Sequence, residues 1–87
     1  MNSLGKLLKD KREKVGFSQA EVSKKLGYSS PQFVSNWERG LSTPPVVSLR
    51  AIAQLYKISP DNLFQVYLKS TLKQIEADLR KKFSKRR

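Results

Sequence analysis

Neither cysteine nor histidine occurs anywhere in the 87 residues of this chain. Without cysteine there are no disulfides and no thiolate zinc sites, and without histidine the commonest metal ligand and acid–base catalyst is missing. The sequence also has no glycine-rich phosphate loop and no cluster of carboxylates. We therefore expect no catalytic residues, no bound metal and no cofactor, and an enzyme is the function class that the sequence favours least.

Long apolar runs are missing as well. No stretch approaches the roughly 18 consecutive apolar residues that a membrane-spanning helix needs. The opening LGKLL is too short, and too soon followed by charge, for a signal peptide. The length suits one domain and leaves no room for a separate ligand-sensing unit. We expect a cytoplasmic protein that binds no small-molecule ligand.

Acidic residues are scarce, because 7 Asp and Glu stand against 18 Lys and Arg, for a net charge of +11. The excess is uneven: residues 1–66 carry 10 basic and 5 acidic side chains, whereas residues 67–87 carry 8 basic and 2 acidic ones. Such a charge indicates a polyanionic partner, either nucleic acid or an anionic membrane surface. The alternative is a basic tail that only keeps the protein soluble.

Apolar residues recur every three or four positions in five segments separated by glycine and proline, and no alternating strand pattern persists. The spacing predicts helices over about 3–15, 18–26, 31–39, 46–57 and 60 to the low eighties. Ser18 and Glu21 form the pattern of a capping box at the start of the second helix, and Ser30 followed by Pro31 suits the start of the third. The expected fold is therefore all-α.

The same spacing predicts which side chains are buried. Phe33, Val34 and Trp37 mark the buried side of the third segment, and Val46 opens the apolar side of the fourth. Stacking of the two aromatic side chains on bases is one alternative, and a second is that Phe33 lies partly exposed near a thymine methyl because the helix is short. In the fifth segment, one continuous apolar stripe is predicted from residue 63 to residue 83.

The second and third segments, joined by a tight turn at Gly27, form a helix-turn-helix pattern. Opposite its buried side, the third segment carries Gln32, Ser35, Asn36 and Arg39. Amides and an arginine on the exposed side of a short helix suit base edges in the DNA major groove, where Asn and Gln offer adenine one donor and one acceptor. An ordinary solvated helix face is the alternative interpretation.

Over residues 4 to about 64, the chain resembles the phage repressor and Cro type of helix-turn-helix domain, the Xre family. The residues that carry the resemblance are Leu8, Arg12, Gly16, Ser18, Gln19, Leu26–Gly27, Val34, Trp37, Glu38–Arg39–Gly40, Pro44 and the run LRAIAQLYKIS that ends at Ser59. The resemblance implies a bundle of five short helices whose third helix is the recognition helix. Here the last helix is extended.

The resemblance also implies roles for individual side chains. Gln32 and Asn36 take positions that face base edges, and Ser35 lies on the same face. Arg12 and Glu38 match a family ion pair that links the first helix to the recognition helix. In this interpretation the pair is structural.

Four side chains are expected at DNA phosphates. Arg39 stands at the end of the recognition helix, and Ser42 and Thr43 follow in the next loop. Gln19 opens the second helix and, by resemblance, either contacts a phosphate or braces a side chain of the recognition helix. Phosphate contacts position the protein on DNA without reading its sequence.

The chain departs from the family pattern at two places. The turn from Gly27 to Ser30 holds one residue more than the usual turn, near Tyr28, and this turn sets how deeply Gln32 enters the groove. Ser23 stands at a helix crossing where the family prefers alanine. Serine is small enough to fit there.

Leu68, Leu72, Ile75 and Leu79 occupy d, a, d and a positions of about two heptads. A bundle of residues 1–66 is too small to bury this stripe fully. We therefore expect residues 67–87 to form a basic amphipathic extension that pairs with a second copy of the chain, and its basic end, residues 80–87, reaches flanking DNA or stays disordered. Folding back of the helix onto its own domain is the alternative.

The leading hypothesis is a sequence-specific transcriptional regulator, in the simplest case a repressor, that binds double-stranded DNA as a homodimer with residues 31–39 in the major groove. The second hypothesis is an antitoxin-like or other interaction module that binds a partner protein through the C-terminal helix. The third is a protein that coats nucleic acid without sequence preference. Under the leading hypothesis the partners are DNA and a second copy, with no membrane.

Overall fold

The computed structural model describes residues 3–85, and within that range every regular element is a helix. The elements are α1 Ser3–Val15, α2 Gln19–Lys25, α3 Gln32–Arg39, α4 Leu49–Tyr56 and α5 Pro60–Lys85, with a 3₁₀ turn Val46–Ser48 before α4. The prediction of an all-α, five-helix bundle with an extended last helix is confirmed. Positions 86 and 87, part of the basic end, lie outside the described residues. Over residues 3–85, no helix is long and apolar enough to cross a membrane, and no group of acidic side chains is placed to hold a metal ion.

The start of α2 carries the predicted capping box. The Glu21 amide donates to Ser18 Oγ at 3.0 Å, and the Ser18 amide donates to Glu21 Oε1 at 2.8 Å. These bonds satisfy donors that the helix itself leaves open. The backbone and side-chain hydrogen bonds from Ser18 also lower the pKa of the Glu21 carboxyl, because they favour its charged form.

The turn after α2 is a Schellman motif. The Gly27 amide donates to the Lys24 carbonyl at 3.1 Å, and the Tyr28 amide donates to the Ser23 carbonyl at 2.9 Å. Gly27 has a φ of 89°, a left-handed conformation that glycine adopts without a Cβ penalty. The same hydrogen-bond pattern ends α1, α3 and α4, and α4 achieves it with Lys57 at a φ of 57°. The chain thus reverses sharply at each of these helix ends.

One hydrophobic core fills the space between the five helices, and every helix contributes to it. Its buried members are Leu4, Leu8, Val22, Val34, Trp37, Leu49, Ile52, Ala53, Tyr56 and Leu63. Full burial of such a side chain contributes roughly 1.5–3 kcal/mol relative to its exposed state. Trp37, the largest of them, lies in the core as predicted and anchors α3 from its inner side.

Phe33 is not part of this core, and the prediction that it lies on the buried side of α3 is wrong. Its side chain is 51% exposed. Tyr28 from the preceding turn stands edge-on to Trp37, with ring centroids 5.8 Å apart, and Phe33 packs on Tyr28 at 4.8 Å. Because Tyr28 takes the place beside Trp37, Phe33 keeps half of its surface outside.

Val46 was expected to open the apolar side of the fourth helix, and this prediction is also wrong. The α-helix begins three residues later, at Leu49, and Val46 is largely exposed in the 3₁₀ turn. Pro45 before it is extended, with φ −59° and ψ 141°. The Ser48 amide donates to the Pro45 carbonyl at 2.9 Å, a single tight turn that keeps Val46 outside the helical repeat.

Helix α5 has two apolar faces in place of the one continuous stripe that was predicted. Leu63 is fully buried, whereas Leu72 is 56% exposed. The two residues are about two and a half turns apart, so they lie on opposite sides of the helix. One face packs on the bundle. The other face carries a stripe of four apolar side chains that are each between 49% and 72% exposed, namely Leu72, Ile75, Leu79 and Phe83. Leu68 at its beginning is half-buried, and the residues of the stripe beyond it are not covered by the bundle.

Gly5 lets α1 cross the end of α3 at backbone contact. A Cβ atom at this position would lie 2.5 Å from the Glu38 carbonyl oxygen and 2.9 Å from the Trp37 carbonyl oxygen. Real Cβ atoms do not approach backbone so closely. Glycine inside a helix is normally unfavourable by about 1 kcal/mol relative to alanine, and here the close helix crossing explains it.

Replacing Gly5 by alanine is expected to lower the free energy of unfolding by about 1–3 kcal/mol, because the new methyl group forces α1 away from α3. Helix propensity alone predicts that the same change raises the free energy of unfolding by about 1 kcal/mol. The sign of the measured change therefore shows which of the two effects dominates. Urea unfolding followed by circular dichroism measures it. Lys6→Ala, on the exposed side of α1, is the control and should stay within about 0.5 kcal/mol of the parent. A more stable Gly5→Ala protein would contradict the close-contact argument.

Candidate nucleic-acid interface

The residues that α3 exposes follow from the residues that its opposite face places in the core. Val34 and Trp37 point into the core, and Glu38 is buried against Arg12, so the outward face is formed by the remaining positions of the helix. Gln32, Asn36 and Arg39 are spaced four and three residues apart and form one ridge on that outer face. Gln32 and Arg39 are exposed, and Asn36 is half-buried.

These three side chains form a hydrogen-bonded set. Gln32 Nε2 donates to Asn36 Oδ1 at 2.8 Å, and Arg39 Nη2 donates to the same oxygen at 3.1 Å. The two donors fix the amide orientation of Asn36, since only its oxygen accepts. Both hydrogen bonds to the Asn36 side chain that link it to its neighbours end at Oδ1, so they leave the donors of Nδ2 unused. Ser35 lies beside this set and is half-buried.

Behind the outer face, a buried ion pair holds the end of α3 to α1. Arg12 Nε donates to Glu38 Oε2 at 2.6 Å, and Arg12 Nη2 donates to Glu38 Oε1 at 3.0 Å. The two side chains are 9% and 3% exposed. This two-point geometry fixes direction as well as distance, which an apolar contact does not. The structure therefore brings together the two residues for which the resemblance implied an ion pair.

The same cluster extends into α2 and its preceding turn. Gln19 Nε2 donates to Glu38 Oε1 at 2.9 Å, and Arg12 Nη1 donates to the Phe17 carbonyl at 2.8 Å. One carboxylate thus joins α1, α2 and α3. Of the two roles left open for Gln19, the structure places its side chain where it braces the recognition helix.

Electrostatics in this region follow from the buried carboxylate. The hydrogen bond to Glu38 raises the pKa of the Arg12 guanidinium despite the opposing effect of burial. Burial raises the pKa of the Tyr56 hydroxyl, and the charge of Glu38 adds to that rise while Arg12 opposes it. Burial and the Glu38 carboxylate thus favour the cationic form of Arg12 and the neutral form of Tyr56.

The expected phosphate contacts divide between two places. Arg39, Ser42 and Thr43 line an open groove of about 800 Å³ at the end of α3, together with Lys69 and Lys73 of α5. The fourth residue, Gln19, does not line this groove and binds Glu38 instead. The sequence did not predict the groove, because its α5 wall comes from residues more than 25 positions later.

Three residues, Tyr28, Lys69 and Lys73, make contacts around the site that the sequence did not predict. Tyr28 secures the long turn by its contacts with Phe33 and Trp37, and its aromatic character was the available signal. Lys69 and Lys73 share one helical face, but nothing in their spacing shows which element they meet.

Ser23 is buried as its size allows, and its Oγ has no hydrogen-bond partner within residues 3–85.

Two short helices joined by a tight turn, with the second presenting an amide face from a five-helix bundle, define a helix-turn-helix DNA-binding domain. Comparison with known proteins agrees, because a sequence model of the helix-turn-helix family matches residues 8–63. The chain is also 39% identical over 61 residues to the HTH-type transcriptional regulator ImmR of Bacillus subtilis (strain 168), a match that covers 70% of this chain and 47% of that protein. The chain belongs to the Xre-type helix-turn-helix family of DNA-binding regulators. It spans about half the length of this curated relative.

Replacing Glu38 by glutamine is expected to lower the free energy of unfolding by about 3–5 kcal/mol, because the buried Arg12 cation keeps its charge and loses its carboxylate. Thermal and urea unfolding measure the loss. Gln19→Ala, which removes one donor to the same carboxylate, should cost about 1.5–3 kcal/mol. The double variant Arg12→Met, Glu38→Leu should recover part of the loss, since it removes both charges together. A loss below about 1 kcal/mol for Glu38→Gln would show that the pair does not hold the helices.

Proposed function

We propose that this protein is a sequence-specific transcriptional regulator that binds double-stranded DNA as a homodimer and represses the genes it controls. Residues 1–66 form the DNA-binding domain, and residues 67–87 form the extension that joins two copies. The observation that carries the proposal is the outward amide face of α3, whose central Asn36 is oriented by Gln32 and Arg39. The chain does no chemistry of its own in this proposal and works in the cytoplasm.

Base recognition follows from the groups on this face. An α-helix fits the major groove of B-form DNA, where adenine presents the N7 acceptor beside the N6 donor. Asn36 offers Nδ2 to N7. Its Oδ1, which accepts from Gln32 and Arg39 in the free protein, accepts from N6 when one of these donors moves away, and Gln32 offers the same donor and acceptor pair one helical turn away. Ser35 donates or accepts at a neighbouring base. Each two-point contact discriminates against a wrong base by about 1–3 kcal/mol.

The charge of the chain supports DNA as the partner. A net charge of +11 attracts a polyanion and makes binding depend steeply on salt. Arg39, Ser42 and Thr43 are assigned to phosphates at the end of α3. Gln19 is assigned to a phosphate at the start of α2, through the second N–H of Nε2, because the first is donated to Glu38 and Oε1 only accepts.

Repression is the simplest regulatory action of such a domain. A bound dimer occupies promoter DNA and excludes polymerase, which requires no further part of the chain. The relative ImmR is named as a transcriptional regulator, and this name supports the same class of function for the present protein.

The homodimer is proposed from the outer face of α5. Leu72, Ile75 and Leu79 lie on that face with Leu68 at its start, and the first three are about half exposed or more. An apolar stripe at heptad spacing is covered well by an identical stripe from a second helix. A two-fold dimer also places two recognition helices about one turn of DNA apart, roughly 34 Å, as paired half-sites require.

A second candidate function is supported by the same exposed stripe. In an antitoxin-like module, the outer face of α5 packs against a partner protein of different sequence. The two candidates differ in what covers Leu72 and Ile75, a second copy or another protein. A non-specific coating protein would bind random and selected duplexes equally.

Replacing Asn36 by alanine is expected to reduce the affinity for the specific site by about 1–3 kcal/mol, because both hydrogen bonds to the base are lost. The site is first obtained by selecting bound sequences from a random duplex pool with the parent protein. Binding of the selected duplex is then measured by fluorescence anisotropy at fixed salt. The fold should be unchanged, since the side chain contributes only to the exposed network.

The control for this test is the matched variant Gln54→Ala, which removes an exposed amide from α4 and should leave affinity unchanged. Equal affinity of the parent for selected and random duplexes would exclude sequence-specific regulation. An Asn36→Ala protein that binds as tightly as the parent would remove Asn36 from the base contacts.

The double variant Leu72→Glu, Leu79→Glu is expected to be a monomer under conditions in which the parent is a dimer, because it places charges at two a positions of the stripe. Sedimentation equilibrium measures the association. Gln74→Glu, Lys81→Glu is the control, since these exposed residues have the same seven-residue separation on the far side of α5. A monomeric parent protein at micromolar concentration would contradict the homodimer and favour the partner-protein alternative.

A further inference from the structure

The groove at the end of α3 is built from two separate parts of the chain. One wall is the loop after the recognition helix, with Arg39, Ser42 and Thr43, and the other is the middle of α5, with Lys69 and Lys73. All five side chains are exposed. The groove therefore adjoins the recognition helix and is open to a large ligand.

The chemistry of the groove selects an anion. Its charged lining residues are three cations, and none of the described residues that line it is acidic. Lys69 and Lys73 are four residues apart and thus neighbours on one helical face. Four hydroxyl groups add neutral donors, and they belong to Ser42, Thr43, Ser70 and Ser3 at the start of α1. Cations and hydroxyls together are the donor set that proteins use for DNA phosphates.

Charge also distinguishes DNA from a second copy of the chain as the occupant. A second copy carries a net charge of +11 and is repelled by a groove with three cations and no carboxylate. The phosphate backbone is a continuous line of negative charge, spaced about 1.7 Å per charge along the duplex. A backbone that passes the end of the recognition helix meets this groove next.

The apolar stripe of α5 does not compete with the groove. Lys73 follows Leu72 directly in the chain, so the two side chains leave the helix about 100° apart. Leu72 is not among the residues that line the groove. One helix therefore serves two surfaces, one apolar and one basic.

We propose that this groove is a DNA backbone site in which Lys69 and Lys73 of α5 contact phosphates beside those held by Arg39, Ser42 and Thr43. The proposal rests on the proposed DNA-binding function and adds to it a contribution of the C-terminal helix to affinity. The extension then both joins two copies and lengthens the DNA footprint of each. These contacts strengthen binding to every sequence equally.

The test is the double variant Lys69→Gln, Lys73→Gln, with binding measured against salt concentration on the selected duplex and on a random duplex. The expected result is a weakening of at least roughly tenfold at low salt on both duplexes, with the slope of log affinity against log salt reduced by about 2. Hydroxyl-radical cleavage should show lost protection at the backbone beside the recognition helix. Both lysines are exposed, so melting temperature should stay unchanged.

The control is Lys11→Gln, Lys14→Gln, which removes the same charge from a surface of α1 that also carries Asp10 and Glu13. It accounts for the effect of net charge alone. A salt slope for Lys69→Gln, Lys73→Gln no lower than that of the control would overturn the proposal and leave the groove to an acidic segment of another protein. That outcome is distinct from failure of the proposed function, which appears as equal binding of selected and random duplexes by the parent.

Discussion

One carboxylate, that of Glu38, fixes the arrangement on which the rest of the molecule depends. It accepts two hydrogen bonds from Arg12 of α1 and one from Gln19 of α2, while belonging to α3. Apolar packing holds these helices together but tolerates small slides and rotations, whereas a two-point ion pair does not. Because buried ion pairs add little net stability, we interpret this one as setting the direction in which α3 presents its outer face.

The two sides of α3 illustrate how this arrangement serves the surface. Trp37 and the Glu38 cluster fix the inner side, whereas the outer side carries the polar groups linked to Asn36, and Phe33 is half exposed. Helix α5 has the same two-sided arrangement over a longer length, because Leu63 lies in the core and the stripe from Leu72 lies on the opposite side. In both helices a rigid inner contact leaves a defined outer face for a partner.

Much of the fold could be predicted from local pattern, because helix periodicity, the capping box at Ser18 and the glycine stops depend on residues close in sequence. The family resemblance supplied the pairing of Arg12 with Glu38, which are 26 residues apart. Predictions failed where a residue that is distant in sequence, or one that lies in an irregular turn, decides which side chain is buried. Phe33 is displaced by Tyr28, and the approach of α5 to the loop after α3 depends on helix angles that no local pattern encodes.

From the helix crossing at Gly5 we expect the surface of α3 to depend on a residue that is not part of that surface. Its missing side chain allows backbone contact between α1 and the end of α3, so a bulkier residue there reduces the amount of folded protein. In a genetic selection for lost function, alleles at this position should be temperature-sensitive, since the defect lies in folding. Defects in the outer face of α3 should instead persist at every temperature. Growth temperature alone would therefore sort mutations of the scaffold from mutations of the surface it holds.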